Sequence, residues 1–495
     1  MNTFAIKTSL LGLSLLAIAA LNFFSCSDDK SSPSNSDADA DIEGEAAPGI
    51  WDGWACKSGK VGDMLGVASH MKQGAGNDFD REFEFARYDE LGKAVVREHF
   101  RWDDLEPNDD DWRFDEVQTQ VDMAAAHNVK LIPQVGYDVA WAASGEGDSS
   151  LSVEEYGEFA KKVAQRYCGQ IKEYELWNEP DMTIFWEPVP DPQHYGEMVK
   201  AAHSAIKSVC PDARVSLGGL ASYSNVDLFN HWWFLRALIE KHPDIGAYFD
   251  VVSLHPYTFA SSYSPENDWI SGKLQANSMP VLVQMAREIL KPIGKENVPI
   301  WFTEVGWTSL LTGEREAANY LARGALLAAR DNIEYYLWYT FFDGEPEPDD
   351  KFDDWSNYFG LFGWPGDAKE PRRAKPAWFA MKGLHKILGD ACFAADLSGF
   401  LHLPNDVYAF GFVKAGGERV IAAWDGRDMP DDIDGELAEG GKDCEFPAEI
   451  NFPSDAAGVK VFNQNGDEIY NRQINANAPF PITLTNQVVY ILLSK

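Results

Sequence analysis

Eight short apolar runs alternate with amphipathic stretches between about residue 61 and residue 390, and this alternation limits the chain to very few folds. The runs are Val61–Ser69, Ala94–Phe100, Lys130–Val135, Ile171–Trp177, Val215–Leu220, Asp250–Leu254, Pro299–Thr303 and Ile333–Thr340. Each has the length and apolar make-up of a strand. Between them lie segments of helical period such as Val153–Tyr167, His194–Val209, Val281–Leu290 and Arg315–Arg330. Glu154 and Glu155 open the first of these, as the positive end of a helix dipole favours. Strand–helix units repeated eight times over about 330 residues predict an α/β fold, the (β/α)8 TIM barrel. A doubly wound open sheet is the rival, but no glycine-rich phosphate turn follows the first run.

Active sites of such barrels form where the strands end. Two strand ends carry glutamates. Glu179 closes Tyr174-Glu175-Leu176-Trp177-Asn178-Glu179, and Glu304 closes Pro299-Ile300-Trp301-Phe302-Thr303-Glu304. A carboxylate ending an apolar run is costly unless it lines a cleft, and two of them point to the paired acid–base chemistry of a glycosidase. The same rim would collect His70, Arg97, Gln134, Asn178, His255, Tyr257 and Trp338. Blander readings exist for several. Arg97 fits a structural ion pair, His255 a satisfied core histidine and Trp338 simple packing. The run Asp109-Asp110-Asp111 reads as a solvated turn rather than a calcium site. Glu345, Glu347, Asp349 and Asp350 fall in the loop after the eighth strand and would border the cleft.

The formal net charge of −36 argues against nucleic acid and anionic membrane surfaces as partners, and fits a neutral carbohydrate. Aromatics at 13% suit a protein that handles sugar rings, although packing also consumes them. Residues 1–25 read as an export signal, with Lys7 ahead of the apolar stretch Leu10 to Ala20. Cys26 resembles the lipidation cysteine of bacterial lipoproteins; an ordinary secretory signal is the alternative. This is the expected route to a membrane, with the protein otherwise periplasmic or secreted. Residues 26–49 are a polar, acidic tether with almost nothing to bury. Apart from Cys26 there are five cysteines, Cys56, Cys168, Cys210, Cys392 and Cys444, so an oxidising compartment would leave at least one unpaired. Cys168 and Cys210 each end a helix just before a strand and are candidate partners at the bottom of the barrel. No Cys/His spacing resembles a zinc site. After the barrel, residues 50–390, the pattern changes. Val407–Val413, Val420–Trp424, Val459–Asn463 and Val488–Leu493 predict a small all-β domain over 391–495, packed as a buttress rather than binding carbohydrate.

The motifs also resemble a known group. Trp177-Asn178-Glu179-Pro180 and Thr303-Glu304-Val305-Gly306-Trp307 are similar to the two signature motifs of clan A retaining glycoside hydrolases. Val96-Arg97-Glu98-His99-Phe100-Arg101-Trp102 with Leu105-Glu106-Pro107, and Ser253-Leu254-His255-Pro256-Tyr257, extend the likeness. Leu337-Trp338-Tyr339 through Asp343, and Tyr358-Phe359-Gly360-Leu361, most resemble family 39. The resemblance implies Glu179 as acid/base and Glu304 as nucleophile, with Arg97 beside the nucleophile to favour its ionised form. It implies Asn178 on the sugar 2-hydroxyl, Tyr257 donating to Glu304, His255 holding the acid or a sugar hydroxyl, and Trp338 stacking under the ring. No metal or organic cofactor is called for. The expected reaction is β-glycoside hydrolysis of plant or microbial polysaccharides or oligosaccharides, with a β-xylosidase first. An endo-β-glucanase, an endo-β-mannanase, a transglycosylase or a non-catalytic glycan-binding lipoprotein are the alternatives. Trp141, Trp186, Trp307 and Trp355 sit in the loops expected to shape the subsites.

Overall fold

The computed structural model describes residues 53–71, 78–222, 231–258, 263–266, 269–270, 273–274, 278–345, 356–367, 369–399, 401, 403–404, 406–426, 446–450, 452–453, 455–474 and 479–494. The export segment, Cys26, the tether, Cys444, Glu347, Asp349, Asp350 and Trp355 lie outside these residues.

Eight parallel strands form a closed barrel: β1 (Leu65–Ala68), β2 (Ala94–Arg101), β3 (Val129–Gly136), β4 (Glu173–Asn178), β5 (Arg214–Ala221), β6 (Val251–His255), β7 (Ile300–Val305) and β8 (Tyr335–Tyr339). Sequential strands pair, and β8 returns to β1 with Tyr336 opposite Leu65. One helix follows each strand: α1 (Asp78–Leu91), α2 (Asp115–Ala126), α3 (Val153–Tyr167), α4 (Pro192–Val209), α5 (Trp233–Lys241), α6 (Met279–Leu290), α7 (Ser309–Arg330) and α8 (Pro376–Leu388). Local chemistry starts several of them. The Ser152 side chain accepts from Glu155 N to cap α3, and Asp191 accepts from Gln193 N and His194 N to cap α4, with Pro192 in its first turn. Among the described residues no helix is long and apolar enough to cross a membrane.

The expected first strand is shorter than its apolar run. Val61–Met64 form a single helical turn, and only Leu65–Ala68 join the barrel. The cause is the way the chain enters the floor. Lys60 bridges to Cys392, and Gly62 N donates to Gly389 O at 3.1 Å, so close that a Cβ on Gly62 would stand 2.7 Å from that oxygen. Cys56–Cys392 and Cys168–Cys210 are disulfides with Cα separations of 5.3 and 5.6 Å, and no free cysteine remains among the described residues.

Beyond α8 the chain builds an antiparallel sheet of six strands in the order β9 (Ala391–Asp396), β10 (Val407–Lys414), β11 (Arg419–Asp425), β16 (Val489–Ser494), β13 (Gly458–Phe462), β14 (Glu468–Gln473). A separate two-stranded sheet, β12 (Phe446–Ile450) and β15 (Phe480–Leu484), shares an apolar cluster with it. The sheet packs on α7. Arg323 grips Glu266 with two bonds of 2.9 and 2.6 Å, Trp424 Nε1 donates to the same carboxylate at 2.7 Å, and Gln464 Nε2 donates to Asn319 Oδ1 at 3.0 Å.

Candidate active site

Strand alternation decides which side chains enter the barrel. Val95, Ile132, Val251, Trp301, Tyr335 and Leu337 form an apolar cluster inside it. Two residues further along, the same faces bring in Arg97 from β2, Gln134 from β3, Ser253 and then His255 from β6, Thr303 from β7 and Tyr339 from β8. Arg97 does not end its strand as expected, because β2 continues to Arg101, but it lies on the interior face and is buried.

Three strands break the alternation where the glutamates stand. On β7, Phe302 pairs with Tyr336 and Val305 with Trp338, so β7 carries one extra residue there. That bulge lets neighbouring Thr303 and Glu304 both turn toward the interior. Trp177 on β4 (φ 75°) and Glu179 just after it (φ 41°) are left-handed, a conformation worth about 1–3 kcal/mol of strain each, and they swing Asn178 and Glu179 into the mouth. On β5 the register against β6 shifts between Leu217 and Leu220, at Gly218 and Gly219. A Cβ on Gly219 would stand 2.0 Å from His255 Nε2, so the glycine makes room for that ring.

The resulting site is a polar network centred on Arg97. Its Nε donates to Glu175 Oε1 at 2.8 Å, its Nη1 to Glu304 Oε1 at 2.6 Å and its Nη2 to Asn178 Oδ1 at 2.6 Å. Tyr257 Oη donates to the other oxygen of Glu304 at 2.9 Å. Glu304 therefore receives a cation and a phenol, an environment suited to a carboxylate. Glu179 has a different setting. His255 Nδ1 lies 2.8 Å from its Oε1. Burial pushes its carboxyl up to about 7, with Arg97 opposing and Glu175 reinforcing the shift. One carboxylate oxygen from each glutamate falls within 4.8 Å of the other and of His255. Those three side chains could converge on a cation, but Arg97 already occupies Glu304 Oε1, and a metal ion would face that positive charge. Glu106, Asp109 and Asp110 also cluster, yet Glu106 already accepts from Trp102 Nε1 and Asp110 N.

Glu179, Glu304, Arg97, Asn178, His255 and Tyr257 thus meet at one mouth. Trp338 does not. It is 1% exposed, donates Nε1 to Phe359 O at 2.9 Å and packs on Trp307, because alternation turns it outward between two inward neighbours. Tyr339 takes the interior position instead, 5.3 Å from the His70 ring and 6.4 Å from that of Tyr257. The three loop tryptophans among the described residues are also packed away. Trp186 and Trp307 are buried, bonded to Ser149 and Thr258, and half-buried Trp141 donates to Glu106 O.

Sequence reasoning gave no role to Glu175, His99, Tyr137, Thr303 or Tyr339. Counting in twos from Arg97 and from Leu337 finds His99 and Tyr339; Glu175 needed the position of Arg97. Tyr137 follows β3 in a left-handed conformation (φ 72°), stacked on His99 at 5.4 Å with Arg101 over its ring at 4.4 Å. His70 meets His99 edge-on at 4.8 Å, and both ring nitrogens of His99 and both amide atoms of Gln134 are buried without a hydrogen-bond partner among the described residues.

The family model Cellulase (glycosyl hydrolase family 5) matches residues 57–341, more than half the chain and nearly the whole barrel. The protein belongs to glycosyl hydrolase family 5. Family 5 is a clan A family, so the chain is a retaining glycoside hydrolase with a carbohydrate substrate. The fold is shared more widely. A family 39 glycoside hydrolase from Bacteroides cellulosilyticus WH2 superimposes with a TM-score of 0.66 at 20% identity, over 88% of this chain and 82% of that one. A monomeric β-xylosidase from Caulobacter crescentus CB15 gives 0.63 at 17% identity, over 89% and 97%. A family 30 endoxylanase from Clostridium papyrosolvens C71 gives 0.56 at 13% identity, over 89% and 98%. No curated protein matches the sequence significantly.

Proposed function

We propose that this family 5 protein cleaves β-glycosides by double displacement, with Glu304 as nucleophile and Glu179 as acid/base. The observation that carries the reading is the close approach of two unlike carboxyls, one oxygen of each within 4.8 Å. Retaining enzymes hold the pair about 5–5.5 Å apart, whereas inverting enzymes need roughly 6.5–9.5 Å to admit water. Glu304, ion-paired with Arg97, attacks the anomeric carbon. Glu179, held protonated toward neutral pH by burial, protonates the departing oxygen. Once Glu304 is esterified its negative charge is gone, and Glu179 can ionise and take a proton from the attacking water. Asn178, oriented by Arg97, is suited to the sugar 2-hydroxyl, and Tyr339 replaces Trp338 as the ring facing the sugar.

For the sugar we propose β-linked xylose first, from the motif resemblance to family 39. The match to cellulases supports β-linked glucose as the second reading. Export and lipid anchoring at Cys26 belong to the same proposal and rest on the N-terminal sequence alone. The test is a panel of aryl β-glycosides and cell-wall polysaccharides, followed by NMR of the anomer first released. Hydrolysis with retained configuration is expected. Binding without hydrolysis across the panel would make the protein a glycan-binding one.

A further inference from the structure

A carboxylic acid transfers its proton from one of its two oxygens, and His255 touches one oxygen of Glu179. His255 Nδ1 lies 2.8 Å from Glu179 Oε1 and 3.7 Å from Glu304 Oε2. Its Nε2 lies 3.1 Å from Thr303 Oγ1. The ring is fully buried, and that burial pulls its pKa down to about 4, Glu304 opposing and Arg97 assisting, so near neutral pH it holds one proton between two nitrogens. Nδ1 faces carboxyl oxygens, which favour a donor there. Nε2 then needs a donor, and a hydroxyl can be one.

We propose that Thr303, by donating its hydroxyl proton to His255 Nε2, fixes the Nδ1–H tautomer and thereby assigns the transferable proton of Glu179 to Oε2. Thr303 is a positioning residue: it touches His255 and acts through it. The proposal rests on Glu179 being the acid/base. During glycosylation the proton leaves Oε2 for the departing oxygen as the glycosidic bond breaks, while Oε1 keeps its bond from Nδ1–H. During hydrolysis Oε2 takes the proton of the attacking water. The imidazole neither gains nor loses a proton in either step. Gly219 makes the arrangement possible, since any side chain there would strike Nε2.

Other groups act on Glu179 and stay in place when Thr303 is changed. Arg97 from β2 and Glu175 from β4 oppose each other there. Asp181 on the following loop, Tyr137 after β3, Tyr257 after β6 and Tyr339 on β8 each feel its charge, and Glu304 on β7 stands close by.

The experiment uses full-length protein labelled with ¹⁵N-histidine, with the His255 signals assigned by their loss in His255→Gln. Wild type should give a protonated Nδ1 and a bare Nε2. Thr303→Val, which removes the hydroxyl and keeps the shape, should lose that fixed tautomer. It should also move the basic limb of kcat/KM to higher pH and slow poor-leaving-group substrates roughly tenfold. Thr303→Ser should restore all three. A protonated Nε2 in the wild type, or an unchanged tautomer and basic limb in Thr303→Val, overturns the proposal. Thr303→Ala replaces the valine variant if that one does not fold. The tautomer is read without turnover, so its outcome is separate from any failure of Glu179 as the acid.

Discussion

The two ends of the barrel interior both bury glutamates, and they provide for them differently. At the floor, Glu173 accepts from Tyr335 Oη at 2.9 Å and from Arg214 Nη1 at 3.1 Å, with Lys130 Nζ at 3.4 Å. Arg214 also holds Glu334 through bonds of 2.7 and 2.6 Å. At the mouth, Glu175, Glu304 and Glu179 have Arg97 among them, and it bonds only the first two. Glu179 is left with a neutral imidazole, and burial raises its pKa to about 7. The floor matches charge with charge and gains a fixed structure. At the mouth one carboxyl is left without a cation of its own, which is what a proton donor near neutral pH requires.

The sharpest way to break this contrast is Glu304→Ala, which should reduce turnover by at least about 10⁴-fold because it removes the proposed nucleophile. Glu179→Ala should cost about 10²–10⁴-fold on substrates with poor leaving groups and far less on activated aryl glycosides. Equal losses on both would remove Glu179 from the acid role. Arg97→Met should lower kcat/KM by about 10²–10³-fold. It should also lower the unfolding free energy in urea by about 3–5 kcal/mol, since Glu175 and Glu304 stay buried without their cation. The pH dependence tests the charge count itself. Glu179 must be protonated to act first, so kcat/KM should fall as pH rises through about 7. Glu175→Gln removes a charge that raises this pKa, so the fall should move to lower pH; a move upward would contradict the assignment. The smallest effect belongs to the floor. Tyr335→Phe should cost about 1–2 kcal/mol of stability by weakening the hold on Glu173 and leave kcat/KM within about threefold.

Regularity also explains how much the sequence could tell. Seven strands and four of the eight helices follow plain hydrophobic periods, and those runs found them within a few residues, except that α7 starts at Ser309, six residues before the expected Arg315. The mouth was legible where a motif marked it, as at Asn178-Glu179 and Thr303-Glu304. Elsewhere alternation carried the signal: from Leu337 it puts Tyr339 inward and Trp338 outward, against the expectation for Trp338. That rule fails at Trp177, at the β7 bulge and at Gly218-Gly219, where left-handed or extra residues re-aim side chains through contacts with neighbouring strands. Such contacts leave no local period. β14 was unreadable for another reason, being almost wholly exposed and so lacking any apolar alternation, while β12 and β15 each carry a proline.

The division of labour between Glu304 and Glu179 is tested most directly by trapping the intermediate. The protein would be incubated with the 2-deoxy-2-fluoro, activated-leaving-group form of whichever β-glycoside it hydrolyses, then weighed intact and mapped by peptide mass spectrometry. One fluoroglycosyl group on Glu304 is the predicted result. An adduct on Glu179 or another residue, or no adduct together with release of the inverted anomer, would contradict it.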